Sequence, residues 1–122
     1  MDISVVVATL EGCSFADLDN EGLLHEVLTQ AVGAGRFTEL HRHVHHFDPQ
    51  GVTAVVVLSE SHIALHSWPE HGVLFVDIAS CSGELASRAA FDRILALVPH
   101  ARVSHDRHTY VNKIQVPAAK AV

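Results

Sequence analysis

Apolar and polar positions alternate along this chain with two periods. Ile3 to Leu10 is a β-branched apolar run that reads as a buried strand, broken by Gly12 and a polar stretch through Asp19. From Asp19 or Asn20, either able to cap a helix, Leu24, Leu28 and Ala31 recur at helical spacing with Leu23 and Val27 beside them. Gly33 and Gly35 close that helix. Phe37 to Phe47 reads as a second strand and Val52 to Leu58 as a third. Between them, Asp48-Pro49-Gln50-Gly51 is a turn in which proline presets φ and glycine permits a positive one. A further turn, Trp68-Pro69-Glu70-His71-Gly72, precedes a strand at Val73 to Ala79. Glu84 to Val98 is an amphipathic helix with Ala90, Phe91, Ile94, Leu97 and Val98 on one face, stopped by Pro99. Residues 101 to 116 give a weaker final strand.

The resulting order is strand, helix, three strands, helix, strand. It predicts an α+β fold: an α/β two-layer sandwich in which both helices cover one face of a largely antiparallel sheet. Residues 10–35 and 80–100 share a plan, each leaving a strand near a cysteine and entering a helix, which reads as an internal repeat of βαβ type.

At 122 residues, 48% of them apolar, the chain is expected to form a single globular domain, 1–122. A formal net charge of −6 and no cluster of Lys and Arg weigh against nucleic acid as a partner. The start, MDISVVVATLEG, has no basic segment before its apolar residues and does not read as a signal peptide. No apolar run reaches the roughly 20 residues that span a bilayer. The expectation is a cytoplasmic protein without a membrane partner, its two cysteines, Cys13 and Cys81, being free thiols.

The unusual chemistry lies in SESHIALHSWPEH, residues 59–71, where a strand-like run acquires carboxylates, hydroxyls, three histidines and the only tryptophan. Glu60-Ser61-His62 is no dyad by itself, because neighbours on a strand point to opposite faces. The wider constellation is more specific: Gly51-Val52-Thr53, Glu60-Ser61-His62, His66, Trp68-Pro69-Glu70, and Cys81 with Gly83 close behind. In this order and spacing the chain resembles the short bacterial and archaeal S-adenosylmethionine decarboxylases. Gly12-Cys13, Leu18-Asp19 and the His46-to-Gly51 turn extend the resemblance over most of the chain.

The resemblance implies a proenzyme that cuts itself between Glu60 and Ser61 into chains 1–60 and 61–122, leaving a pyruvoyl group made from Ser61 as its cofactor. His66 is then the processing base and Thr53, a serine in many relatives, supports the intermediate. The pyruvoyl carbonyl would take the substrate amine as a Schiff base and accept the electrons released with CO₂. Cys81 would return a proton to carbon, since a thiol of ordinary pKa near 8.5 is mostly protonated at neutral pH. Phe47 and Trp68 match aromatics that stack on adenine, and Glu70 the carboxylate that accepts from the ribose hydroxyls. These imply S-adenosylmethionine as substrate, with decarboxylation supplying the aminopropyl donor for spermidine. The family also implies a homodimer whose sites draw on both protomers.

Alternatives are the same cofactor acting on arginine or ornithine, and an uncleaved homologue that binds a nucleoside or a metal. For the latter the candidate is His41, His43 and His45 on one strand face, although such a face is more often simply exposed, and no metal site is assigned. Cys13 reads as structural, and His62 receives no chemical step. The chain departs from the family pattern in three places: it lacks a Gly-x-His segment before the first strand, has Ser67 for threonine, and inserts Ser82 between Cys81 and Gly83.

Overall fold

The computed structural model describes residues 3–111. The order is β1 (Ile3–Glu11), α1 (Phe15–Leu18), α2 (Glu21–Ala34), β2 (Glu39–His46), β3 (Val52–Leu58), β4 (Ser61–Trp68), β5 (Val73–Ser80), α3 (Glu84–Leu97) and β6 (Arg102–Val111), with a 3₁₀ turn at Pro69–His71. The strands form one sheet in the order β2-β3-β4-β5-β1-β6, with every neighbouring pair antiparallel. Strands β1 and β2 therefore run the same way, as do β5 and β6. Helices α2 and α3 are the crossovers of two βαβ-type units, as the shared plan of the two halves predicts.

Alternation divides the sheet into a dry face and an open one. Val6, Ala8 and Leu10 on β1, Val52, Ala54, Val56 and Leu58 on β3, Ile63 and Leu65 on β4, and Leu74, Val76 and Ile78 on β5 are all buried. They pack with Leu24, Val27, Leu28 and Ala31 of α2 and Ala90, Phe91 and Ile94 of α3. Among the described residues no helix covers the other face, where Val5, Val7, Val55, Phe75 and Ala79 stay partly accessible. The predicted α+β two-layer architecture is the one observed.

Three elements differ from the sequence reading. The third strand is Val52–Leu58 as read, but Ser61–Trp68, given no element of its own, is a further strand, because the chain reverses at Ser59-Glu60 and β4 pairs back on β3. A four-residue helix, α1, occupies part of the polar stretch before Asp19; Ser14 caps it by accepting the Asp17 N–H at 3.1 Å. Strand β2 ends at His46, which puts Phe47 in the following turn. The last strand is present from Arg102, and residues 112–116 of the expected span lie outside the described residues. Helix α2 ends where its glycines predict, but Gly35 keeps φ −79° and Arg36 takes the left-handed turn at φ 55°. Glycine is required at 35 because a Cβ there would lie 2.4 Å from the Phe37 ring.

The end of the sheet holding the turn at 47–51 is tied down by polar bonds. The Ser67 hydroxyl, buried on the helix side, accepts the Val52 N–H at 2.9 Å and donates to the Leu18 carbonyl at 2.7 Å, linking β4, β3 and α1. Asp19 accepts from the Gly51 N–H at 3.0 Å and pairs with His46 Nε2 at 2.8 Å. Removing the Ser67 hydroxyl leaves a buried donor and acceptor unpaired, each costing about 1–3 kcal/mol. Ser67→Ala is therefore expected to destabilise the fold by about 2 kcal/mol, read as a lowered midpoint in thermal unfolding; an unchanged midpoint would mean that water replaces the hydroxyl.

Candidate active site

The predicted residues fall into two groups at opposite ends of β4. The first surrounds the turn between β3 and β4. Leu58 pairs with Ser61, so only Ser59 and Glu60 form the loop. Two-residue hairpins usually place positive φ within the loop, on Gly or Asn. Here neither loop residue has it, and the first strand residue, Ser61, carries φ 146° instead. A non-glycine residue in that region stores roughly 1–3 kcal/mol of backbone strain. The strained residue is the predicted nucleophile, and the peptide bond to its nitrogen is the predicted scissile one.

The carbonyl of that same peptide is engaged. The Cys81 backbone N–H donates to the Glu60 carbonyl oxygen at 3.0 Å. The contact follows from register, since Ser61 lies opposite Ser80 on β5 and Cys81 is the next residue. The loop after β5 is pinned by Ser82 N–H donating to Ser80 Oγ at 2.9 Å, so the inserted Ser82 leaves Cys81 beside the turn with its side chain exposed. On the other flank, Ser59 N–H donates to the Thr38 carbonyl at 2.9 Å and Thr38 N–H to Glu60 Oε1 at 3.0 Å. That bond, more than any other contact, holds the Glu60 carboxyl below the ordinary carboxylate range.

The second group lines a cavity of about 320 Å³ formed by Phe47, Gln50, Gly51, Thr53, His66, Ser67, Trp68 and Glu70. Thr53 and His66 are cross-strand partners, and Thr53 Oγ1 lies 3.1 Å from His66 Nδ1. Phe47 and Trp68, 48% and 45% exposed, offer large apolar faces to solvent at its mouth. The His66 ring lies between Trp68, at 6.3 Å, and Phe75, at 6.0 Å. Five of the eight predicted site residues thus meet in one pocket.

Sequence reasoning did not find two polar residues here. Gln50 Nε2 donates to Glu70 Oε2 at 2.7 Å, which orients that carboxylate while leaving Oε1 available. Asp19 anchors the loop that carries Phe47 and Gln50; its carboxyl is held below the usual range, first by the His46 bond and then by the Gly51 N–H. Their sequence signals are position, one in the Asp48-to-Gly51 turn and the other before α2, and the motifs Leu18-Asp19 and His46-to-Gly51, none of which shows these bonds.

Between the two groups lies most of a strand. Ser61 and His66 are five residues apart on β4, roughly 16 Å at ~3.3 Å per residue, and residues five apart on a regular strand point to opposite faces. Within one chain the His66–Thr53 pair does not reach the Glu60–Ser61 peptide.

The remaining candidates lie elsewhere. Cys13 is buried, its Sγ 3.8 Å from the Leu10 carbonyl, and burial, followed by the Asp17 charge, raises its pKa. His41, His43 and His45 alternate on the exposed side of β2, as predicted. Among the described residues no group of three or more His, Cys, Asp or Glu is arranged to hold a metal ion. His62 pairs with Asp77 of β5 at 3.3 Å on the open face. Among the described residues no helix is long and apolar enough to cross a membrane.

The sequence profile of S-adenosylmethionine decarboxylase matches residues 4–109. A protein from Persephonella marina named S-adenosylmethionine decarboxylase proenzyme is 32% identical, the match covering 91% of this chain and 92% of the relative. One of the same name from Aquifex aeolicus is 34% identical over 84% of this chain and 76% of its own length. The crystal structure of adenosylmethionine decarboxylase from Aquifex aeolicus superposes with a TM-score of 0.81 at 29% identity, covering 97% of this chain and 94% of that one. The chain belongs to the S-adenosylmethionine decarboxylase family.

Proposed function

We propose that this chain is a proenzyme that cuts its own Glu60–Ser61 peptide and, once cut, decarboxylates S-adenosylmethionine. The observation that carries the reading is the state of that peptide: strain on the nitrogen side, at Ser61 φ 146°, and a hydrogen-bond donor on the carbonyl oxygen, from Cys81 N–H at 3.0 Å. A serine hydroxyl is a weak nucleophile unless activated. Attack by Ser61 Oγ on the Glu60 carbonyl relieves the strain, and the Cys81 N–H is aimed at the oxygen where negative charge develops. The C–N bond then breaks, leaving an ester and a free amine on residue 61.

A base next removes the Ser61 α-proton. The Cα–H electrons form the Cα=Cβ bond as the new main-chain carboxylate of residue 60 departs from Cβ; tautomerisation and hydrolysis with loss of ammonia leave the pyruvoyl group. His66 is the candidate base. Its Nδ1 contact with Thr53 fixes the ring and leaves Nε2 free to act. Because His66 is too far along β4 to reach its own Ser61, the base is supplied by a second copy whose pocket end meets this chain's cleavage end. This supports a homodimer with two composite sites.

In the mature enzyme the pyruvoyl group supplies the carbonyl that accepts electrons during decarboxylation. The chain's own residues bind and orient. The exposed Phe47 and Trp68 rings suit an adenine face and a nearby sulfonium. Glu70, aligned by Gln50, suits ribose hydroxyls. Such a pocket fits a nucleoside better than the side chain of arginine or ornithine. Exposure of Cys81 beside residue 61 supports its thiol as the group that delivers a proton to the substrate carbon.

Intact mass of denatured protein tests cleavage: two chains, 1–60 and a pyruvoyl-blocked 61–122, are expected, whereas Ser61→Ala gives one. A stable single wild-type chain would refute self-cleavage. Cys81→Ala retains the backbone N–H, so it is expected to cut normally but lose at least about tenfold in decarboxylation, about 1.4 kcal/mol. Normal turnover would require another proton donor. For the composite site, Ser61→Ala and His66→Ala chains, each uncut alone, are co-refolded. Cleavage of the His66→Ala chain by its partner's histidine is expected, and none in a verified mixed dimer would place the base within one chain.

A further inference from the structure

The Glu60 side chain is not consumed by the cleavage chemistry, yet it is fastened where that chemistry begins. Its Oε1 accepts the Thr38 N–H at 3.0 Å, while the Thr38 carbonyl accepts the Ser59 N–H at 2.9 Å. The two bonds run in opposite senses between one residue before β2 and the two residues of the turn. They clamp the turn from the β2 side as Cys81 N–H holds the Glu60 carbonyl from the β5 side. An unclamped two-residue loop has an easy relaxation, in which Ser61 returns to negative φ and the Glu60 carbonyl rotates away from Cys81.

We infer that the Glu60 carboxylate is a positioning group for self-cleavage, which, by capping Thr38 N–H, keeps Ser61 strained and the scissile carbonyl on the Cys81 N–H. The inference rests on the self-cleavage reading and adds a role for the side chain on the amino side of the cut bond. The carboxyl is held below the ordinary carboxylate range mainly by the Thr38 N–H, with the Ser59 and Thr38 side chains and its own amide contributing. An oxygen acceptor at the end of two methylenes is what the clamp needs, so Gln meets the requirement and Asp, one methylene shorter, does not.

The group acts before the ester forms, during attack of Ser61 Oγ on the Glu60 carbon and expulsion of the residue 61 amine. Slow variants should therefore accumulate an intact amide chain that hydroxylamine leaves uncut; loss of the elimination base should instead leave a hydroxylamine-sensitive ester.

The test follows cleavage of freshly refolded chains by intact mass for wild type, Glu60→Gln, Glu60→Asp and Glu60→Ala. The same substitutions in a Ser61→Ala background report folding by thermal unfolding. Glu60→Gln is expected to keep most of the wild-type rate, while Glu60→Asp and Glu60→Ala slow about tenfold or more and stay resistant to hydroxylamine. Should Glu60→Ala fail to fold, Glu60→Asp against Glu60→Gln carries the comparison. Equal rates for folded Asp, Ala and wild-type chains would overturn the positioning role, as would a Glu60→Gln chain as slow as Glu60→Asp. A wild-type chain that never cuts instead overturns the self-cleavage reading beneath it.

Discussion

Strand β4 is hydrogen-bonded on both sides, and its register is the constraint on which the site depends. The same alignment sets Thr53 opposite His66 on β3 and Ser61 opposite Ser80 on β5. A slip of one residue would turn Ile63 and Leu65 out of the core and bring His62, Ala64 and His66 into it. The buried Ile63 and Leu65 hold the strand against that slip. Packing of an apolar face against α2 and α3 thereby fixes the positions of polar groups that never enter the core.

The two ends of β4 use this rigidity differently. At the Ser61 end the chain reverses in two residues without glycine, and the unfavourable dihedral appears on Ser61. Hydrogen bonds from Cys81 and to Thr38 then fix the orientation of one peptide. At the pocket end the turn has glycine where it needs it. Gly51 adopts φ 105°, and a Cβ there would lie 3.3 Å from the Ser67 carbonyl oxygen. Asp19, Ser67 and Gln50 bond that turn to its surroundings. One end stores strain and the other presents exposed aromatic rings from a relaxed scaffold.

The sequence made the layers and the core legible because helical and two-residue periods are strong where one face is dry. It hid the β3–β4 reversal, since Ser59-Glu60 lacks the Gly, Asn or Pro that normally marks a hairpin and VTAVVVLSESHIALHSW reads as one run. The missing turn signal and the strained serine have one cause: a residue suited to positive φ is absent from the loop. Helix α1 was hidden by its length, too short to show a period. The order of the motifs singled out candidate residues, Ser61, His66, Cys81 and Glu70 among them. It gave Gln50 and Asp19 no role at the site, because their roles come from bonds across 20 and 32 positions.

The split of the site along β4 bears on how maturation and assembly are related. On the proposed roles, a nucleophile at Ser61 and a base at His66 stand near opposite ends of β4 and do not meet within one chain. On the composite-site reading, dimer formation supplies what the single fold withholds, so a chain without a partner keeps its peptide bond even though that bond is already strained and its carbonyl engaged. The half-accessible apolar residues of the open face, with His62 and Asp77 paired among them, form a surface on which a second sheet can pack. On that reading strain prepares the bond, and association decides when it is cut.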